Sequence, residues 1–231
     1  MSRAYILIHG LAGNRSELAT LYDSLNEKGL TIYAIVLKGH EQSNNELAKS
    51  THHEWLVSAE QQIQAISKQH DKLVVIGFSM GGLIAANLFE QFAFEKIVFV
   101  NSPVYYWDTK KIIRNILHDI VTGNYGHIKR YMASSAKIPI RTMVQFITFL
   151  NKSKDKFAHV TCDALVLQSR NDDTVQARSA DYIFRHLKGK KNIKFYEGGA
   201  HLIFQSEINT LVCEDIVQYI LTPKLYNEMP K

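Results

Sequence analysis

Residues 73–89 read LVVIGFSMGGLIAANLF, and their order decides the fold. An apolar, β-branched run leads into Gly77-Phe78-Ser79-Met80-Gly81, and a helix-forming stretch follows at once. A strand that turns into a helix this tightly needs glycine on both sides of Ser79. Larger side chains at Gly77 and Gly81 would collide with neighbouring backbone. The turn lifts Ser79 off the strand end and sets a helix N-terminus, with its partial positive charge, behind the hydroxyl. A glycine-rich turn whose serine carries no chemistry fits this strand–turn–helix context less well.

Outward from this turn, short apolar runs alternate with helical patterns. The runs predict strands over residues 4–8, 31–36, 72–77, 96–101, 164–168 and 193–197. Their unbroken apolar character suits strands covered on both faces, as in a parallel sheet. Helices are expected over residues 15–28, 52–70, 80–92, 177–187 and 207–221. The second opens with Thr51-His52-His53-Glu54, a capping box. Such alternation predicts a doubly wound α/β sheet. Residues 102–160 break the rhythm: they hold no buried strand pattern, only helical ones over 110–122 and 141–150, and they read as a helical cap inserted over one sheet edge. The chain therefore divides into a core, residues 1–101 and 161–231, and a cap, residues 102–160.

A serine hydroxyl is a poor nucleophile until a base takes its proton. Of the ten histidines, His201 follows a predicted strand and the Gly198-Gly199 turn, at the C-terminal sheet edge where open α/β sheets build sites. His52, His53, His70, His118, His127, His159 and His186 lie in helical or polar stretches. The strand over 164–168 ends in a turn holding Asp172 and Asp173, either of which could orient the imidazole. Position alone does not separate them. The loop His9-Gly10-Leu11-Ala12-Gly13 follows the first strand, so the N–H groups of Leu11 and Met80 can converge on one oxygen. Each such donor is worth roughly 3 kcal/mol to a tetrahedral intermediate.

The chain has 231 residues and 46% hydrophobic and 21% charged residues, as expected of an ordinary globular protein. Its net charge of +5 is unevenly placed. Residues 102–160 carry ten basic and three acidic side chains, a net +7, which leaves the rest at −2. A basic cap suits solvated helix faces; it also suits weak attraction to an anionic lipid surface or an acidic acyl substrate. Stacking aromatics interleaved with the charges, as nucleic-acid binding needs, are missing. Two cysteines, Cys162 and Cys213, form no CxxC pair, which favours a reducing compartment. The opening apolar run is too short for a signal-peptide core, and no run suits a membrane span, so a cytoplasmic location is expected. His40-Glu41 is followed by Asn44 where a zinc-binding H-E-x-x-H needs histidine, and adjacent His52 and His53 do not share a helix face. There is no P-loop or dinucleotide fingerprint. Neither a metal nor a cofactor is expected.

The set HGLAG, GFSMGG, RNDDTV and GGAH, in this order and with a helical insertion after the fourth strand, resembles the α/β-hydrolases. Across essentially the whole chain it is similar to the small bacterial carboxylesterases related to monoacylglycerol lipases. The resemblance implies an α/β-hydrolase fold, mostly parallel, with a helical cap. It also implies a serine hydrolase with Ser79 as nucleophile, His201 as base, and oxyanion donors at Leu11 and Met80. The family's R-x-D-x-x-[IV] turn falls on Arg170, Asp172 and Val175, favouring Asp172 as the acid. The expected activity is hydrolysis of carboxylic esters with short to medium acyl chains through an acyl-enzyme, without a cofactor. Monoacylglycerols, thioesters and aromatic-acid esters suit the same residues. A silent ligand-binding protein of this fold would not need all five positions intact. Tyr105, Tyr106, Trp107, Met132, Met143 and Phe146 are candidates for the acyl-chain surface. One departure stands out: Gly39-His40-Glu41 replaces the Gly-His-Gly of many relatives, which bears on the shape of that rim.

Overall fold

The computed structural model describes residues 2–106, 118, 121–123 and 138–221. Trp107, Met132, most of the helix expected over 110–122, and the segment after 221, with Leu225 and Tyr226, lie outside the described residues. Among the described residues no helix is long and apolar enough to cross a membrane.

Six strands form one sheet in the order β2-β1-β3-β4-β5-β6: β1 Arg3–Ile8, β2 Ile32–Ile35, β3 Lys72–Phe78, β4 Phe94–Val100, β5 Asp163–Ser169 and β6 Lys191–Tyr196. Every neighbouring pair is parallel. The continuous apolar runs follow from double coverage. Along each strand alternate side chains go to opposite faces; in β1, β3, β4 and β5 both faces are buried, while the edge strands β2 and β6 are mostly half-buried. Ile6, Ile8, Val75, Ile97, Phe99 and Val166 enter one apolar cluster. Their neighbours Leu7, Val74, Ile76, Val98, Val100 and Leu165 enter the other.

The helices are α1 Ala19–Asn26, α2 Asn44–Lys49, α3 His52–Ser67, α4 Met80–Leu88, α5 Ile140–Ser153, α6 Arg178–His186 and α7 Asn209–Leu221. Right-handed crossovers decide which face each one covers. The chain steps from β1 to β2 in one direction, so α1 covers one face, later joined by α7. It then reverses past β1 to β3 and continues to β6, putting α3, α4 and α6 on the other face. The reversal makes the C-terminal ends of β1 and β3 the topological switch point, where α/β sheets open a crevice.

Local chemistry sets the helix limits. Thr51 Oγ1 accepts the Glu54 N–H while Glu54 accepts the Thr51 N–H at 2.9 Å, completing the capping box of α3. Asn14 caps a 3-10 turn, Arg15–Leu18, so the first turn of the expected 15–28 helix is tightened. Helix α2 was not expected. Its signal is Ser43-x-x-Glu46: the Ser43 hydroxyl accepts the Glu46 N–H at 3.3 Å.

Residues 140–159, just before β5, are helical and pack against the sheet and its helices. Gln145 of α5 accepts from His52 Nδ1 at 2.6 Å, Thr142 donates to the Leu47 carbonyl at 3.3 Å, and Asn87 of α4 donates to Ser153 at 2.8 Å. Phe146, Phe149 and Phe157 are buried in the same cluster as the sheet. Phe157 meets Phe99 of β4 edge-on, with ring centroids 5.4 Å apart. Phe99→Ala removes the sheet's half of this contact and should cost about 3–5 kcal/mol. A chemical-denaturation midpoint equal to that of the wild type would contradict this packing account.

Candidate active site

Strand β3 ends at Phe78 and α4 starts at Met80, leaving Ser79 alone at the corner with φ 51° and ψ −120°. That backbone conformation is strained for a side chain other than glycine. The surrounding glycines make the corner possible. A Cβ at Gly77 would lie 2.6 Å from the backbone of Gly81 and Gly82, and one at Gly81 would lie 2.1 Å from the Ile8 carbonyl oxygen. Helix α4 is therefore pressed against β1 as well as β3. The Ser79 N–H donates to the Val100 carbonyl at 2.8 Å, which ties the corner to the end of β4.

The structure brings three of the expected residues into one chain of hydrogen bonds. Ser79 Oγ is 3.0 Å from His201 Nε2, and His201 Nδ1 is 2.8 Å from Asp172 Oδ2. A carboxylate only accepts, so Nδ1 carries the proton and Nε2 is left to accept from the serine hydroxyl. Asp172 is fixed in turn: its Oδ1 accepts the N–H groups of Thr174 and Val175, both at 2.8 Å. Of the two adjacent carboxylates, Asp172 faces His201 Nδ1, while Asp173 accepts from the Thr174 hydroxyl at 3.4 Å.

The electrostatics favour a charged imidazole. Burial works against charge on His201, but the charge and hydrogen bond of Asp172, helped by Glu17 and Asp173, outweigh it and raise its pKa above 6.5. Glu17 is a residue that sequence reading passed over, since it sits in the expected 15–28 helix and looks like part of a solvated face. Its carboxylate instead accepts the Gly10 N–H at 3.3 Å, and burial raises its pKa. It fills the space where Gly13 lacks a side chain: a Cβ there would be 2.0 Å from Glu17 Oε2.

The first-strand loop lies against the serine. A Cβ at Gly10 would be 3.3 Å from both Ser79 Cβ and the Phe78 ring. Leu11 is the next residue in that loop, and Met80 is the buried first residue of α4. His9 is buried and neutral: Nδ1 donates to the Gly10 carbonyl at 2.8 Å, and Nε2 accepts the Leu37 N–H at 3.3 Å. Burial lowers its pKa. Burial beside His9 pushes His40 down to about 4. Both imidazoles are bonded to backbone groups of the loops that carry them.

At the Gly39-His40-Glu41 rim, Glu41 adopts φ 59°, a conformation that glycine takes without cost. Its carboxylate offsets the strain by binding Arg15, at 2.8 Å to the backbone N–H and 2.8 Å to the guanidinium. Tyr105, Tyr106 and Met143 are partly buried against the core, whereas Phe146 is fully buried and backs Tyr106 edge-on at 4.8 Å. Among the described residues no group of three His, Cys, Asp or Glu side chains is placed to hold a metal.

A family profile for the alpha/beta hydrolase fold matches residues 5–135, and one for serine aminopeptidases (S33) matches residues 107–208. The chain is similar to a carboxylesterase of Bacillus subtilis (strain 168), 22% identical over 228 residues, 94% of this chain and 92% of that one. It is also similar to a thermostable monoacylglycerol lipase of Bacillus sp. (strain H-257), 26% identical over 197 residues, 79% of this chain and 75% of that one. Among solved structures, one from the metagenome-derived lipolytic enzymes LipS and LipT superposes with a TM-score of 0.78 at 19% identity, covering 94% and 93% of the two chains.

The glycines of the corner give a direct test. Gly81→Ala drives a methyl group into the Ile8 carbonyl, which is backbone and cannot swing aside. The variant should lose about 3 kcal/mol of stability, the upper end of overpacking costs. Urea unfolding at the wild-type midpoint would show that α4 does not need this close approach.

Proposed function

The chain belongs to the α/β-hydrolase fold family, and from that membership we propose that it is a serine carboxylesterase acting on esters of short to medium acyl chains. The observation that carries this reading is the hydrogen-bonded line Ser79–His201–Asp172, with spacings of 3.0 and 2.8 Å, at a strained strand–helix corner. Similarity to a carboxylesterase and a monoacylglycerol lipase supports ester hydrolysis.

In this reading Ser79 Oγ attacks the acyl carbonyl as its proton passes to His201 Nε2. Asp172 holds the imidazole in the tautomer that can accept, and stabilises the imidazolium that results. The carbonyl oxygen, now an oxyanion, takes hydrogen bonds from the N–H groups of Leu11 and Met80. Collapse of the tetrahedral intermediate breaks the ester C–O bond, and the alkoxide leaves with the Nε2 proton as alcohol. Water then attacks the acyl-enzyme, giving its proton to the same nitrogen, and the acid departs as Ser79 Oγ recovers a proton. Residues 102–160 act as the cap, and Tyr105, Tyr106 and Met143 face the acyl chain in front of the wall that Phe146 supports.

A fluorophosphonate should label the wild type and fail on Ser79→Ala; label retained by the variant would reject Ser79 as nucleophile. A panel of p-nitrophenyl esters from acetate to dodecanoate should show turnover that declines for the longest chains. No turnover of any member would point to a ligand-binding protein instead. Monoacylglycerol is the second substrate to assay, because the 26% identical relative is a monoacylglycerol lipase.

The pH profile follows from His201. The base must be neutral, and its pKa lies above 6.5, so kcat/KM should fall as pH drops through a value above 6.5. Glu17→Gln removes a charge that favours imidazolium, so the acid limb should move to lower pH. A limb unmoved in that variant would show that Glu17 does not act on the base.

A further inference from the structure

His201 sits on a loop, and loops do not hold geometry to fractions of an ångström unless something fixes them. Here four consecutive carbonyls of that loop hang from two buried side chains. Ser169, the last residue of β5, shares its hydroxyl proton between the carbonyls of Gly198 and Gly199, at 3.0 and 3.1 Å. Asn101, just past the end of β4, donates from Nδ2 to the carbonyls of Ala200 and His201, at 3.2 and 2.9 Å. Both residues are completely buried.

The two side chains also grip each other's strands and the aspartate turn. Asn101 Oδ1 accepts the Ser169 N–H at 2.9 Å, and the Asn101 N–H donates to the Leu167 carbonyl at 2.9 Å. The Ser169 hydroxyl oxygen accepts the Asn171 N–H at 3.1 Å, one residue before Asp172. Asn101 reaches these partners from φ 46°, a region that asparagine tolerates better than most residues. The side-chain hydrogen bonds of the pair go to the His201 loop, to the approach to Asp172, or to the backbone of β5.

We propose that Asn101 and Ser169 are positioning residues that set the reach of His201 between Asp172 and Ser79 through the carbonyls of its loop. The inference depends on the reading of Ser79, Asp172 and His201 as the catalytic residues. A cross-link that only stabilised the fold would need no such concentration on residues 198–201. Near-attack geometry is unforgiving: a displacement of about 1 Å can cost 10²-fold in rate.

The test compares Ser169→Ala, Ser169→Thr, Asn101→Asp and Ile63→Ala. Ile63 is buried in α3, outside the clasp, and serves as a control for lost stability alone. Turnover of a p-nitrophenyl ester is measured per site titrated with fluorophosphonate, and the downfield Nδ1–H resonance of His201 is followed by proton NMR. Ser169→Ala should lower kcat roughly tenfold and Asn101→Asp roughly a hundredfold, with KM within about twofold of the wild type. Both should shift or broaden the Nδ1–H signal. Ser169→Thr, which keeps the hydroxyl, should recover most of the rate, and Ile63→Ala should keep both kcat and the resonance. If Asn101→Asp does not fold, the milder Ser169→Ala decides. The proposal is overturned if Ser169→Ala keeps wild-type kcat and an unchanged resonance, or loses no more rate than Ile63→Ala. Wild-type protein that neither labels at Ser79 nor turns over esters would sink the catalytic reading instead; the resonance would still report whether the clasp orients His201.

Discussion

The backbone of Gly81 lies against the carbonyl of Ile8, closer than any side chain at residue 81 would permit. That contact presses α4 onto β1 and β3 together, and it fixes where the strand–helix corner stands. Ser79 takes its φ of 51° because the chain must turn from strand to helix in a single residue there. The same closeness puts Gly10 against Ser79 Cβ, so the loop after β1 is placed by the contact that places the serine. A methyl group at residue 81 would therefore disturb the position of the serine, the first-strand loop and the packing of α4 at once.

Topology supplies the remaining parts. The reversal between β1 and β3 makes their C-terminal ends the topological switch point, and β4, β5 and β6, parallel to them, carry their loops to the same edge. Charge is distributed to match. Two imidazoles, His9 and His40, are held neutral by burial, while the third, His201, is pulled toward the charged form by Asp172, Glu17 and Asp173 against its own burial. One histidine near the serine is thus suited to gain and lose a proton, and the other two serve as uncharged loop supports.

Much of this was legible in residues alone because it follows from pattern and sterics. Double burial makes the four central strands nearly apolar throughout, and all six strands stand within about two residues of their expected limits, although the edge strand β6 is mostly half-buried and carries Lys191, Asn192 and Lys194. The corner glycines announce themselves by spacing. Helix α2 was legible in principle, since Ser43-x-x-Glu46 is a capping pattern, but six residues are too few for periodicity to show. The choice between Asp172 and Asp173 was not legible from position, because adjacent side chains point different ways and the backbone N–H groups of Thr174 and Val175 decide which one turns inward. Asn101, Ser169 and Glu17 were hidden for another reason. A polar residue at a strand end or on a helix looks ordinary until distant chain segments supply its partners.

Those distances along the chain have a consequence for how the site comes into being. Ser79 and His201 are 122 residues apart and still share one hydrogen bond; Asn101 and His201 are 100 apart. Closing such separations costs loop entropy before any contact offsets it, and sheets built from distant strands are correspondingly slow to assemble. The site has no local precursor: β3, β4, β5 and β6 must all be in register before serine, imidazole and carboxylate can meet. The hydrogen-bonded line Ser79–His201–Asp172 is consequently a late product of folding, completed only once β3 to β6 have paired.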